Sequence, residues 1–321
     1  MPKKNNGLVM ICLLLCVCFG LAGYTIAVTP VYDQRDVAVI NRLIEENDLD
    51  LPKNMPQEWD DRIGIGWSET YPKRIEWLWF GAEQPVGTAD LSDLQQLQSL
   101  SWHTVTDTLI LPENVEQVYC SYNQLKQLDC SKAKQLKKLQ CEGNQLTELD
   151  LSISKELELI AVNDNQLTRL TVQNLPNLTA LHCQNNQLTE LNLPDLPSLK
   201  ILDCWANQLK QLQFKNVPKL ESVWCYDNQL QELDTAELEG LINLRCEGNQ
   251  LQQLSVKNLT QLERLTCYDN PLEQLQLENL PSLCYLDCGR WPSMSLNGDV
   301  RLKSFDYETG KISVIQKEGV D

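Results

Sequence analysis

Thirteen cysteines and two histidines are the side chains in this sequence best suited to metal or redox chemistry. Eight of the cysteines, Cys120, Cys141, Cys183, Cys204, Cys225, Cys246, Cys267 and Cys288, fall at intervals of 21 residues or twice that. A zinc site needs C-x-x-C or Cys/His pairs converging on one point, and a line of single cysteines supplies none. Val162 takes the same place in the interval that lacks cysteine, so the position asks for a small apolar group rather than for sulfur chemistry. His103 and His182 lie about four such intervals apart and cannot share a triad or a metal. No phosphate-cradling loop and no nucleophile elbow is found. No catalytic residue, metal or cofactor is therefore expected.

The cysteines belong to a longer unit. Cys120 to Leu125 reads C-S-Y-N-Q-L, and versions of it return at 141, 162, 183, 204, 225, 246, 267 and 288. In register the unit is L-x-x-L-x-C-x-x-N-Q-L-x-x-L-x-L plus about five linking residues. Nine units run from Val115 to Trp291, and a degenerate one at Leu97, Leu100 and Trp102 precedes them. Such self-similarity marks architectures whose units bury their apolar faces only against neighbouring copies.

Leu139 and Cys141 alternate with Gln140, the period-two pattern of a short half-buried strand. Strands stacked at roughly 4.8 Å per coil make a parallel sheet, and nine coils span on the order of 40 Å. The asparagines at 123, 144, 165, 186, 207, 228, 249 and 270 fall where the chain leaves the strand, a place where a buried amide satisfies backbone groups. Leu188, Leu191 and Leu193 fill the core from the opposite wall. The linkers, such as 194–198, are too short for helices and predict extended or 3₁₀ backbone. Stacked cysteine Cβ atoms about 4.8 Å apart exceed the disulfide range of roughly 3.5–4.5 Å, which predicts reduced, buried thiols. Cys130, in the place held by Leu151 one coil on, belongs to the same core.

The L-x-x-L-x-L-x-x-N-x-L core resembles the leucine-rich repeat family, and the 21-residue period is similar to its bacterial, internalin-like branch. The resemblance covers 97–291. It implies an α/β repeat solenoid, mostly β: a superhelix with a parallel sheet on the concave face and an extended or 3₁₀ convex side. It also implies a surface for binding, although fold and activity are separable.

On the strand unit, residues alternating with the core letters face the concave side. Tyr119, Trp205, Trp224, Tyr226, Tyr268 and Tyr285 occupy those positions and Tyr122 the rim. Trp205, Trp224, Tyr226 and Tyr268 are expected to form one cluster. Grouped exposed rings mark interaction surfaces, the bland alternative being rings that only brace neighbouring strands. Asp203, Asp227, Glu247, Asp269 and Asp287 interleave them, with Arg245, Arg264 and Arg290, and His182 adds a polar contact. Two such carboxylates could act as a glycosidase pair only in a deep pocket, which an open sheet does not offer.

Four domains of sequence are expected: an export signal or membrane anchor at 1–28, an N-terminal cap at 29–96, the repeats at 97–291 and a C-terminal cap at 292–321. The first starts with Lys3 and Lys4 and runs apolar and uncharged from Gly7 to Val28, a pattern that suits a cleaved signal and a retained span alike. Cys16 and Cys18 lack the small preceding residue that lipidation needs. Asp36 to Asn47 has helical apolar spacing, Ile75 to Phe80 reads as the first strand of the cap, and Trp59, Trp67, Trp77 and Trp79 are expected to fill its core. Two strands between Val300 and Ile315 close the other end.

The net charge is −17, and beyond residue 28 the chain carries 25 basic and 44 acidic residues. Nucleic acid and anionic membrane surfaces are unsuited to that balance, and membrane contact is expected only through an uncleaved 7–28. The resulting expectation is a monomeric, exported bacterial protein, periplasmic, surface-held or secreted, that binds a host or envelope protein. A glycan-binding envelope module is the alternative.

Overall fold

The computed structural model describes residues 30–54, 56, 63–81, 85–289, 293–297, 302–306 and 311–314. Residues 1–28, expected to direct export or anchor the chain, lie outside these residues, as do Trp59, Arg290 and Trp291. Two compact units divide between Val31 and Tyr32, and the second contains all the repeats.

Helix α1 (Gln34–Glu46) starts where Asp33 accepts the backbone N–H of Arg35 at 2.9 Å, an N-cap that satisfies one orphan donor of the first turn. Its apolar stripe, Val37, Ile40, Leu43 and Ile44, is buried. Strand β1 (Ile63–Trp67) runs antiparallel to β2 (Ile75–Phe80), so Ile75–Phe80 is not the first strand of the cap as expected. β2 lies parallel to β4 (Ser99–Trp102), which follows β3 (Val86–Asp90). β4 in turn lies parallel to β6 (Gln117–Tyr119), reached through β5 (Thr106–Ile110). From β6 onward one three-residue strand per coil joins the same sheet, through Tyr285–Asp287, to give twelve strands, and fourteen with the two that close it. Lys311–Val314 and Leu302–Asp306 close it in antiparallel fashion, the two strands expected there.

Ile75, Leu78 and Phe80 are buried with the L-x-x-L-x-C spacing, so the solenoid register already holds in β2. The alternate residues Trp77 and Trp79 accordingly point out of the core and are 41% and 37% exposed. This corrects the expectation that they pack inside the cap. The buried ring is Trp102, stacked on Phe80 at 4.5 Å, with its indole N–H donated to Thr106 Oγ1 at 2.7 Å.

The convex side is extended, as its short linkers require. β3, β5 and Gln127–Asp129 form one small parallel sheet, and later coils form three more. Between walls the chain makes tandem tight turns, such as Ala133 N–H to Cys130 C=O at 2.9 Å and Leu136 N–H to Ala133 C=O at 3.4 Å. α1 is the only helix of more than one turn among the described residues.

Two ladders run through the core. Each asparagine side chain ties its own coil to the one before. Asn207 Oδ1 accepts the N–H of Leu188 at 3.0 Å, while its Nδ2 donates to the carbonyls of Cys183 at 3.0 Å and Cys204 at 3.1 Å. Asn144, Asn165, Asn186, Asn228, Asn249 and Asn270 repeat this arrangement. The ten described cysteines are free thiols, and all but Cys284 are buried. Burial pushes the Cys225 thiol up to about 12, and the other buried ladder thiols for which a shift is resolved move the same way. Thiolate, the reactive form, is thereby suppressed along the ladder.

The cap is pinned by a buried charge cluster. Asp36, fully buried, accepts from Arg74 Nε at 2.9 Å, Arg74 Nη2 at 2.8 Å and the Ile75 N–H at 2.8 Å, which fastens α1 to β2. Asp33 pairs with Arg35 and lies 3.6 Å from Arg74. The Arg35 hydrogen bond holds the Asp33 carboxyl down at about 2, against the opposing effect of its burial.

Asn207→Ala leaves a buried N–H and two carbonyls without their amide partner, and should lower unfolding free energy by about 2–3 kcal/mol, read as a lower urea midpoint. Because the folded Asp33 value lies below that of a free aspartate, its stabilisation is complete above roughly pH 4 and lost as pH falls through about 2. Asp33→Asn should therefore flatten the acid limb of stability against pH over that window, measured by thermal melts. Alkylation of the native protein at pH 8 followed by peptide mapping should label Cys284 and spare Cys183, Cys204, Cys225, Cys246 and Cys267 until the chain is unfolded.

Candidate binding face

Strand register places the candidate residues in files across the concave wall. His182, Asp203, Trp224, Arg245, Thr266 and Asp287 are partners in successive strands and form one file. Trp205, Tyr226, Glu247 and Tyr268, each one residue after a ladder cysteine, form the next. Because the cysteine points into the core, the residues on either side of it point out, and 21-residue spacing then sets like positions side by side.

At the centre, the rings of Trp205 and Tyr226 stack at 5.0 Å with planes 7° apart. The Arg245 guanidinium lies 4.3 Å from the centre of the Tyr226 ring, a cation–π contact. Arg245 donates through both Nε and Nη2 to Glu247 Oε1, which fixes its plane. Trp224, in the adjoining file, stays 37% exposed. Burial, working against the pull of Arg245, raises the Tyr226 phenol, and burial likewise raises that of Tyr268. His182 Nδ1 stands 2.6 Å from Asp203 Oδ2, a contact that places the proton on Nδ1 when the carboxylate is ionised.

The wall is less open than its sequence suggests. Asp203, Glu247 and Asp287 are 5%, 2% and 7% exposed. Asp203 Oδ1, Glu247 Oε2, Gln184 Oε1 and Thr266 Oγ1 have no protein partner among the described residues. These buried polar atoms are left for ordered water to satisfy.

The expected four-ring cluster divides. Glu247 occupies the position between Tyr226 and Tyr268, so Tyr268 does not join the Trp205–Tyr226 stack, and Trp224 lies in its own file. Tyr119 and Tyr122 sit four coils toward the N-terminus, with the Tyr119 hydroxyl bonded to Gln117 Oε1 at 2.9 Å. Tyr122, at φ 60°, lies over Gly143, where a Cβ would come within 2.2 Å of the ring. Asp227 and Asp269 are exposed rim residues at φ 52° and 50°. Arg264 lies 5.9 Å from the Tyr285 ring toward the C-terminal end, and Asp287 accepts the Gly289 N–H at 3.3 Å. Ile201, 38% exposed beside Ser222, is an apolar member of the wall not singled out from the sequence; its outward place in the repeat was the available signal. Among the described residues no hydroxyl or thiol is hydrogen-bonded to His182, and no three His, Cys, Asp or Glu side chains group to hold a metal.

The leucine-rich repeat family, in its two-copy form, matches residues 176–216. No curated protein matches the chain. Among solved structures, the leucine-rich effector YopM from Yersinia pestis is 28% identical, over 65% of this chain and 55% of that one, with a TM-score of 0.50. The PEPR1–AtPEP1 crystal structure is 18% identical, over 82% and 42%, with a TM-score of 0.63. The functional domain of InlJ from Listeria monocytogenes is 23% identical, over 66% and 64%, with a TM-score of 0.38. The chain spans about half the length of the first two of these. Its period, its single long parallel sheet of about ten turns and its scarcity of helix lead to one assignment: the chain is a leucine-rich repeat protein with repeats of about 21 residues.

Proposed function

We propose that this chain binds another protein, of the host or of the bacterial envelope, through the concave patch centred on Trp205, Trp224 and Tyr226. The leucine-rich repeat fold is typically used for protein binding and is generally non-catalytic. The observation that carries the reading is the Trp205–Tyr226–Arg245 stack, already locked by Glu247 before any partner arrives. Rings and a guanidinium held in place lose little rotamer freedom on contact, which is the chemistry of interface hot spots. The partly exposed His182 and Arg245 beside the stack, held from behind by the buried Asp203 and Glu247, favour a protein surface over a sugar, because they offer directional polar contacts.

The chain acts as a monomer outside the cytoplasmic membrane in this reading, delivered by residues 1–28. Support for the location rests on the lysine-then-apolar pattern of that segment.

The purified region from Thr29 onward is used to capture proteins from envelope and host extracts, alongside a variant with Trp205, Trp224 and Tyr226 changed to alanine. The parent should enrich a specific protein, and Trp224→Ala alone should weaken its affinity by about tenfold or more. Equal capture by parent and triple variant would remove the concave-patch assignment.

A further inference from the structure

A second platform lies at the N-terminal end of the same sheet, in the two tryptophans that face out of β2. A Cβ at Gly64 would come within 2.9 Å of the Trp77 ring, one at Gly66 within 3.0 Å of Trp77 Cβ, and one at Gly81 within 2.5 Å of the Trp79 ring. The rings thus lie down in clearings that any larger residue would fill. The two residues remain 41% and 37% exposed. His103 lies 5.9 Å from Trp79.

The surroundings differ in kind from the central patch. Parallel register sets Ser99 beside Trp77 and Ser101 beside Trp79, followed by Gln117 and Tyr119 in the next coil. These six outward positions carry no charge in a chain of net charge −17. The first charged residue in these two files is Lys138, one coil further. The carboxylates of Glu76 and Glu116 stand in the file alongside, one residue before Trp77 and Gln117, while the flat indole faces are bordered within their own two files by hydroxyls and an amide. They match a molecule with C–H faces and hydroxyl edges.

We infer that Trp77 and Trp79 form a binding platform for a neutral oligosaccharide. Pyranose rings stack their C–H faces on the indoles, while Ser99, Ser101 and Gln117 exchange hydrogen bonds with the sugar hydroxyls. The indoles arise from Cα atoms roughly 7 Å apart along one strand, so they meet neighbouring sugar units rather than a single one. The site is separate from the Trp224 patch, and either can fail without the other.

The test uses the region from Thr29 onward, titrated by calorimetry with cellohexaose, chitohexaose and maltohexaose, and with polygalacturonate as the charged counterpart. At least one neutral hexasaccharide should bind with a Kd at or below about 1 mM. That affinity should be insensitive to salt, since no fixed charge takes part. Trp77→Ala combined with Trp79→Ala should weaken it by about tenfold or more, and Trp224→Ala should leave it unchanged. Indole N–H resonances of the unmutated protein supply a reading that does not depend on a variant folding, with those of Trp77 and Trp79 shifting on titration. No binding by any neutral hexasaccharide, stronger binding of polygalacturonate, or shifts confined to other tryptophans would overturn the inference.

Discussion

The buried asparagine amide is the interaction on which this solenoid depends. Where the chain turns out of each concave strand it leaves an N–H and carbonyls that neither wall can pair, and water has no access to them. One amide answers three of these groups at once and does so across the coil boundary, as Asn207 does for Leu188, Cys183 and Cys204. Leucine burial supplies the larger share of the driving force, but it is indifferent to direction. The amide is directional, so it sets how far each coil rises and turns relative to the last, and so fixes the files on the wall.

From that constraint the other features follow. Because the cysteine beside each turn must be small and apolar, its sulfur sits where burial suppresses the thiolate, and the ladder is inert packing. Because Cys points inward, its two neighbours point outward. The ring stack of Trp205 and Tyr226 then comes from the coil rise, without any loop having to deliver it. The ends obey a different rule. Asp36, Arg74 and Asp33 hold α1 over the first coil with a buried ion pair and its hydrogen bonds, since the first layer has no preceding asparagine to lean on.

The concave wall therefore carries two surfaces of unlike chemistry on one rigid sheet. The central one is charged and pre-stacked; the N-terminal one has two uncharged files, with its indoles close beside glycines. Both are built from strand positions rather than from loops, which keeps side chains in fixed register and lowers the entropy cost of contact.

The repeat period, the inward and outward alternation, the two apolar walls and the burial of the cysteines were legible in the sequence, because each is a local pattern repeated until chance is excluded. The outward positions of Trp205, Trp224 and Tyr226 followed from the same register. What tertiary structure alone decided was which neighbours those residues meet. Glu247 parts Tyr226 from Tyr268, and Asp203 and Glu247 become buried, outcomes set by side-chain packing between coils that no single repeat encodes. The exposure of Trp77 and Trp79 was decided there too, since β2 joins the solenoid through hydrogen bonds to β4, and a cap read in isolation gives no reason for its rings to face away from the core.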